Sequence, residues 1–376
     1  MSDAMLGPRR VGLARVEGVS DAAHDLLAHC EVVDLHLDSF ISQRLVGYDL
    51  NREHGTGPLG GRFFGQLDFP RALAGGLTAG MWSITTNPFR GAGARWRIFQ
   101  RNHARMHEVV AASEGRLEIV RDMGEWLQAR RRGAHAVLIS IQGGNAVQAA
   151  PAGAMALPDD IWRVTLVHLT HSAYGPTSSP LGLGRQRGPL TAAGVELVEQ
   201  LDAQRIFVDL AHIGHRAFHD AVAAHDPALP LLATHTGVSG VTPHWRNLDD
   251  DELRAVAATD GVVGIIFQND FLRRPAGPRG VEMVVEHLDH LRRIIGIRHC
   301  AVGTDYDGAI VPPYDVRDGR TGYLRLCDAL LRAGWSADEV RAVLGANAIR
   351  VCAAMRPAGT VDQSTVAQPS SAQLAS

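Results

Sequence analysis

The chain has 376 residues, of which 45% are apolar and 20% are charged, and its formal net charge is -3. This length accommodates two average domains or one large α/β barrel, and the near-neutral balance excludes the strongly basic surface of a nucleic-acid-binding protein. No apolar run reaches the roughly 18 residues that span a bilayer, and Met1–Val16 lacks the apolar core of a secretory signal, so we expect a cytoplasmic protein without a membrane partner.

Apolar runs of strand length alternate with longer helical patterns along the chain. The predicted strands are, in chain order, Cys30–Leu35, Leu77–Thr85, Ala136–Ile141, Val164–Thr170, Ile206–Ala211, Leu231–Thr234, Gly261–Phe267 and Cys300–Thr304. Most of these runs are almost continuously apolar, which is typical of parallel strands covered on both faces. Helical spacing predicts helices over Ala193–Ala203, Asp250–Ala258 and Val281–Ile295. Eight strands separated by helices predict a single (β/α)8 TIM barrel.

The barrel is expected to occupy most of the chain. We assign residues 1–25 to an N-terminal extension, 26–356 to the barrel and 357–376 to a disordered tail, because the last segment is rich in Pro, Ala, Ser and Gln and has little to bury. The glycine-rich segment Gly47–Leu67 follows the first strand, and we expect it to form a loop over the mouth of the active site.

Metal-binding residue types lie at the ends of several predicted strands, where a TIM barrel carries its active site. In His36-Leu-Asp38 the two outer side chains leave the first strand on the same face. Imidazole nitrogens and carboxylate oxygens are both ligands for a divalent ion such as zinc. His212, His235 and Asp305 close later apolar runs in the same way. This recurrence indicates a metallohydrolase.

Most of the 18 histidines lie in predicted helices or loops and are not expected to bind metal. His212 and His235 are the favoured ligands because each closes a strand. His168 is expected inside the fourth strand as a hydrogen-bonded core residue. His215 is expected to open the helix after the fifth strand, with a supporting role.

In this order, these motifs resemble the membrane (renal) dipeptidase family of the amidohydrolase superfamily, from about His36 to the region of Cys352. In that family a His-x-Asp pair on the first strand binds one zinc, which implies this role for His36 and Asp38. Two further histidines bind a second zinc, and His212 and His235 match them.

Other segments extend the resemblance and imply roles for their residues. Leu169-Thr-His171 is similar to a family Leu-Thr-His whose histidine polarises the scissile carbonyl. Arg246-Asn-Leu-Asp-Asp250 is similar to a segment whose arginine holds the substrate carboxylate. Thr304-Asp305-Tyr-Asp-Gly308 is similar to a signature whose first aspartate faces the attacking water and the substrate amine.

The chain departs from the family pattern at Gln142. The family has a glutamate that bridges two zinc ions in a Ser-Ile-Glu-Gly-Gly segment, whereas this chain has Ser140-Ile-Gln142-Gly-Gly144. Two Zn²⁺ ions about 3.5–4 Å apart repel by roughly 15–20 kcal/mol at an effective dielectric near 20, and a neutral amide does not offset that repulsion. We therefore include Gln142 among the metal-site residues and expect Zn²⁺ as cofactor, as one firmly bound ion with a doubtful second site.

The expected reaction is hydrolysis of the amide bond of a small dipeptide or an N-acyl amino acid by water with a pKa lowered toward ~7 by metal. Asp305 is expected to accept and return the proton, His171 to stabilise the oxyanion, and Arg246 to pair with a carboxylate. Two alternatives stay open, a mononuclear deaminase or lactonase and a degenerate homologue with a biosynthetic or binding role. No nucleic-acid partner is expected, and a homodimer is left open.

Overall fold

The computed structural model describes residues 13–180 and 187–359. The strands in these ranges are, in chain order, β1 (Val33–Leu37), β2 (Ala79–Thr85), β3 (Leu117–Ile119), β4 (His135–Gln142), β5 (Ile161–Thr165), β6 (Phe207–Asp209), β7 (Leu232–Thr236), β8 (Val262–Ile265) and β9 (Cys300–Val302). They pair in parallel in the order β1-β2-β4-β5-β6-β7-β8-β9, and β3 pairs with β4 outside this path. This nearly closed barrel confirms the predicted (β/α)8 fold.

The barrel closes where β1 meets the chain that follows β9. The Asp305 backbone N–H donates to the His36 carbonyl at 3.1 Å, and the Asp38 N–H donates to the Tyr306 carbonyl at 2.9 Å. Residues of the predicted site therefore form the seam themselves, which fixes their backbones relative to one another.

Two strand boundaries differ from the sequence prediction in ways that matter for the site. β1 runs to Leu37, so His36 lies within the strand rather than after it. β5 ends at Thr165, not at Thr170. The apolar residues Leu166 and Val167 caused the longer prediction, and they are buried in the connection after the strand rather than in the sheet ladder.

Helices cover the outside of the barrel. They are α1 (Asp21–His29), α2 (Phe40–Val46), α3 (Phe69–Ala74), α4 (Ala92–Ala111), α5 (Met123–Arg131), α6 (Ala192–Ala203), α7 (His215–Ala224), α8 (Asp250–Ala258), α9 (Asn269–Leu272), α10 (Glu282–Ile295), α11 (Gly322–Arg332), α12 (Ala337–Arg341) and α13 (Asn347–Met355). The helices predicted by spacing correspond to α6, α8 and α10. At α8 the Asp249 side chain accepts from the first-turn backbone and Glu252 reaches back, which satisfies the exposed N–H groups of that end. No helix in the described ranges is long and apolar enough to cross a membrane.

The N-terminal boundary predicted at residue 25 falls inside α1. Leu26 and Leu27 of this helix are buried in the core, and Ser20, which caps it, donates its hydroxyl to Asp328 at 2.6 Å. Residues 1–12 of the predicted extension and 360–376 of the predicted tail lie outside the described residues.

The glycine-rich segment after β1 packs against the loop after β9. The backbone N–H groups of Gln66 and Leu67 donate to the Asp307 carboxylate at 2.8 and 3.2 Å. The Ser39 hydroxyl donates to the same carboxylate at 2.5 Å. A buried carboxylate thus holds together two connections at the C-terminal face of the barrel, the one between β1 and β2 and the one after β9.

Candidate metal centre

Side chains from six strands and the loops that follow them converge at the C-terminal face of the barrel. The convergent residues are His36, Asp38, Gln142, His168, His212, His235, Arg246 and Asp305. All are buried except His168, which is half-buried. The structure thus brings together every sequence-predicted site residue apart from His171.

His235 presents a nitrogen lone pair to the centre of this cluster. The Thr234 hydroxyl donates its single proton to Asp209 at 2.8 Å and lies 2.8 Å from His235 Nδ1. It must therefore accept from His235, which places the ring proton on Nδ1 and leaves Nε2 free of a proton. That Nε2 lies 2.9 Å from His212 Nε2. Burial first, then neighbouring cationic groups, holds the pKa of both imidazoles well below the usual range, so both are neutral and able to bind a metal.

His36 is held in the opposite tautomer. A guanidinium only donates, and Arg163 Nη2 lies 3.0 Å from His36 Nδ1, so the lone pair is at Nδ1 and the proton at Nε2. Arg163 is itself completely buried, and Asp209 pairs with it at 2.6 Å. The same aspartate therefore anchors both the arginine beneath His36 and the threonine beside His235.

Gln142 fills the space between the two halves of the cluster. Its carboxamide is assigned with the nitrogen toward Asp38, because only this orientation pairs donors with acceptors. The nitrogen donates to the two Asp38 oxygens at 2.7 and 3.0 Å. The oxygen accepts from His36 Nε2 and from His168 Nε2, both at 3.2 Å. The Gln142 carboxamide is thus a hydrogen-bond partner of both His36 and Asp38.

His168, rather than His171, belongs to the cluster. The His168 ring packs edge-on against His212 with the centroids 4.7 Å apart, and burial lowers its pKa to about 4. Because β5 stops at Thr165, the prediction that His168 lies within the strand as a core residue is wrong. His171 lies three residues further along, where its Nδ1 accepts from the Thr177 backbone N–H at 3.2 Å.

Asp305 has a strained backbone and an unsatisfied oxygen. Its φ of 61° lies in the left-handed region, and a Cβ at Gly308 would lie 2.1 Å from its Oδ1, so the turn requires glycine there. Oδ1 lies 3.4 Å from His36 Nε2 and has no hydrogen-bond partner among the described residues. Burial, reinforced by the nearby Asp38 charge, raises the pKa of this carboxyl well above its usual range.

Arg246 lines the same face as a buried cation with free donors. Its Nη2 donates to the His235 carbonyl at 2.5 Å, whereas Nε and Nη1 lack partners within the described part of the chain. Burial lowers its pKa to about 10, against the opposing effect of Asp305, so it stays charged at neutral pH. A buried guanidinium with two nitrogens free to donate can bind a carboxylate.

The donor set fits a zinc-type ion. One imidazole nitrogen each of His36 and His235 and one Asp305 oxygen lie within 4.8 Å of one another. The His36 nitrogen becomes a ligand only when Arg163 releases Nδ1 and the ring proton moves there. The free lone pair of His235, the facing His212 nitrogen and the unsatisfied Asp305 oxygen are the nitrogen and carboxylate donors that zinc prefers.

Comparisons with known proteins identify the family of this chain. The model of the family described as membrane dipeptidase (peptidase family M19) matches residues 20–365. The chain belongs to the membrane dipeptidase family. The match includes all the cluster residues and begins at the residue that caps α1.

One relative and two solved structures are similar to this chain over most of its length. An uncharacterized protein in the pqqA 5′ region of Klebsiella pneumoniae is 31% identical over 256 residues, which are 65% of this chain and 92% of that protein. The crystal structure of dipeptidase AC, a metallo peptidase of family M19, superposes with a TM-score of 0.75 at 25% identity, covering 88% of this chain and 99% of that one. A metallo peptidase from Rhodobacter sphaeroides, liganded with a phosphinate mimic of the dipeptide L-Ala-D-Ala, gives a TM-score of 0.72 at 25% identity, covering 87% and 99%.

Sequence reasoning missed the polar groups beneath this cluster. Asp34 accepts from the His36 and Thr304 backbone N–H groups at 2.9 and 3.1 Å, and Arg163 and Asp209 set the imidazole tautomers. A charged residue inside an otherwise apolar strand is the signal that points to such groups, because an unpaired charge there is costly.

Proposed function

We propose that this member of the membrane dipeptidase family is a metal-dependent hydrolase that cleaves the amide bond of a small dipeptide or N-acyl amino acid with a free carboxylate. The observation that carries the proposal is Arg246, a buried guanidinium at the cluster with two unsatisfied nitrogens. Burying such a charge is unfavourable unless a partner compensates it, and a substrate carboxylate is the partner of matching shape.

The proposed metal position lies on the His235 side of the cluster. His235, His212 and Asp305 are the strongest donors, and Asp38 joins them once the Gln142 carboxamide turns away from it. His36 joins the set only when Arg163 releases Nδ1, so that the ring proton can move there from Nε2. When bound, a zinc-type ion supplies Lewis-acid chemistry and makes a water acidic enough to act as a nucleophile near neutral pH. Because Gln142 carries no charge and engages Asp38, we propose one firmly held ion rather than two.

The protein groups around this position suit the proton transfers of amide hydrolysis. Asp305, with a free Oδ1 beside the His36 ring, is placed to take a proton from the attacking water and to pass it to the leaving nitrogen. His168 carries a proton on Nε2 and is the neutral donor available to a developing oxyanion. We therefore transfer to His168 the role that the sequence assigned to His171.

The phosphinate dipeptide mimic bound by the Rhodobacter sphaeroides enzyme supports a dipeptide as the substrate class, since a tetrahedral phosphinate imitates the hydrolysis transition state. The test is a panel of dipeptides and N-acyl amino acids, each with a free and an amidated C-terminus, assayed with added zinc and after chelation. We expect zinc-dependent hydrolysis of the free acids and little of the amides. Equal turnover of both forms contradicts the Arg246 assignment, and no turnover under any condition contradicts the proposed activity.

A further inference from the structure

A second group of metal-binding side chains lies away from the catalytic cluster. His103 and His107 are one turn apart on α4, and Asp160 directly precedes β5. Asp160 is therefore at the N-terminal end of the barrel, whereas the catalytic cluster is at the C-terminal ends of the strands. The proposed hydrolysis uses none of these three residues.

The two imidazoles converge on one carboxylate. His103 Nε2 lies 2.8 and 3.0 Å from the two Asp160 oxygens, and His107 Nε2 lies 2.6 Å from Oδ2. Histidines at positions i and i+4 of a helix share a face, and the rings pack edge-on with centroids 4.8 Å apart. Three potential ligand atoms thus meet at one point on two rigid elements.

The exposure of the three side chains increases from the barrel toward the solvent. The Asp160 side chain is 6% exposed, His103 is 17% exposed and His107 is 48% exposed. The carboxylate is fixed, while the outer imidazole has room to adjust and leaves an open side for a water ligand.

We infer that His103, His107 and Asp160 form a second divalent-metal site, selective for zinc-type ions, that ties α4 to the start of β5. Two nitrogen donors and one oxygen donor suit zinc, whereas magnesium and calcium prefer oxygen ligands alone. Tetrahedral zinc with bonds of about 2.0–2.2 Å separates its ligand atoms by roughly 3.3–3.5 Å. The ligand atoms therefore move apart by about half an ångström on binding, which the half-exposed His107 permits.

The test compares the zinc content of the full-length protein with that of two variants after equilibration at one free zinc concentration. His107→Ala removes a ligand. His29→Ala is the matched control, because His29 is a partly exposed helical histidine beside a single carboxylate, Asp25, at 3.6 Å. The catalytic cluster is intact in all three proteins, so its zinc cancels in the difference. We expect His107→Ala to hold one zinc fewer per chain, and His29→Ala to match the wild type.

A second measurement uses the wild-type protein alone, so it does not depend on folding of a variant. A histidine-modifying reagent, with labelling read by mass spectrometry, should label His107 about tenfold more slowly when zinc is at ten times its dissociation constant, while magnesium and calcium give no protection. Labelling of His29 should not change. Equal zinc content in His107→Ala and wild type, or unprotected His107, overturns the inference and leaves an ion-pair cluster only. Both readouts are independent of hydrolytic activity, so a failure of the proposed function does not affect them.

Discussion

Replacing Gln142 by glutamate changes the charge of the candidate metal centre at nearly constant volume. The carboxamide nitrogen that donates to Asp38 at 2.7 and 3.0 Å becomes a carboxylate oxygen. Two unit charges 2.7 Å apart repel by about 6 kcal/mol at an effective dielectric of 20. Holding a glutamate neutral at pH 7 costs about 4 kcal/mol relative to its usual pKa, which is less than this repulsion. Without metal, we therefore expect the new carboxyl to be protonated.

The sign of the pH dependence follows from that protonation. A carboxyl whose pKa is raised in the folded state binds more protons there than in the unfolded state, so its penalty grows as the pH rises above about 4.3. In chelator, we expect Gln142→Glu to lose about 4 kcal/mol of unfolding free energy at pH 7 but only about 1 kcal/mol at pH 5. Saturating zinc should remove most of the loss, and the cluster should take up one more ion than in the wild type.

The assay is urea unfolding at both pH values with chelator and with zinc, together with elemental analysis. Gln128→Glu is the matched control, since Gln128 is exposed on α5 and the same charge change there should alter stability by less than about 0.5 kcal/mol. If chelated Gln142→Glu is as stable as the wild type at pH 7, or if its loss does not depend on pH, then Gln142 does not face Asp38 as described.

Four further substitutions test other parts of the molecule. Arg246→Ala should lower kcat/KM for free-carboxylate substrates about tenfold to 100-fold more than for their amides, as expected for hydrogen bonds to a charged group, and equal losses refute the carboxylate role. His168→Ala should lower kcat about 100-fold or more, whereas His171→Ala should stay close to wild type; the reverse ranking in steady-state assays would return the oxyanion role to His171. His135 is buried between the Trp82 indole N–H, which donates to Nε2 at 2.9 Å, and the Leu77 carbonyl, and burial lowers its pKa to about 4. Because the unfolded state then binds more protons, the wild type should lose up to about 3 kcal/mol from this residue as the pH falls from 6.5 to 4, and urea midpoints of His135→Gln should fall less over that window.

The sequence by itself determined the barrel and most of the cluster. Alternating apolar runs specify buried parallel strands, and the ends of such strands must meet at one face, so His36, His212, His235 and Asp305 could be grouped before any coordinates. The sequence also showed the glutamine at position 142, because the loss of a charged residue from the family's motif is visible without a structure.

Tertiary structure decided which nitrogen and which histidine face the cluster. His168 and His171 both follow an apolar run, and only the end of the β5 ladder at Thr165 shows which ring turns inward. The tautomer of His36 depends on Arg163, which lies more than a hundred positions away in the chain, and that of His235 depends on Asp209 through the Thr234 hydroxyl. Sequence spacing constrains neighbours along one strand, whereas hydrogen bonds across the barrel depend on register and burial, and these arise only once the chain has closed on itself.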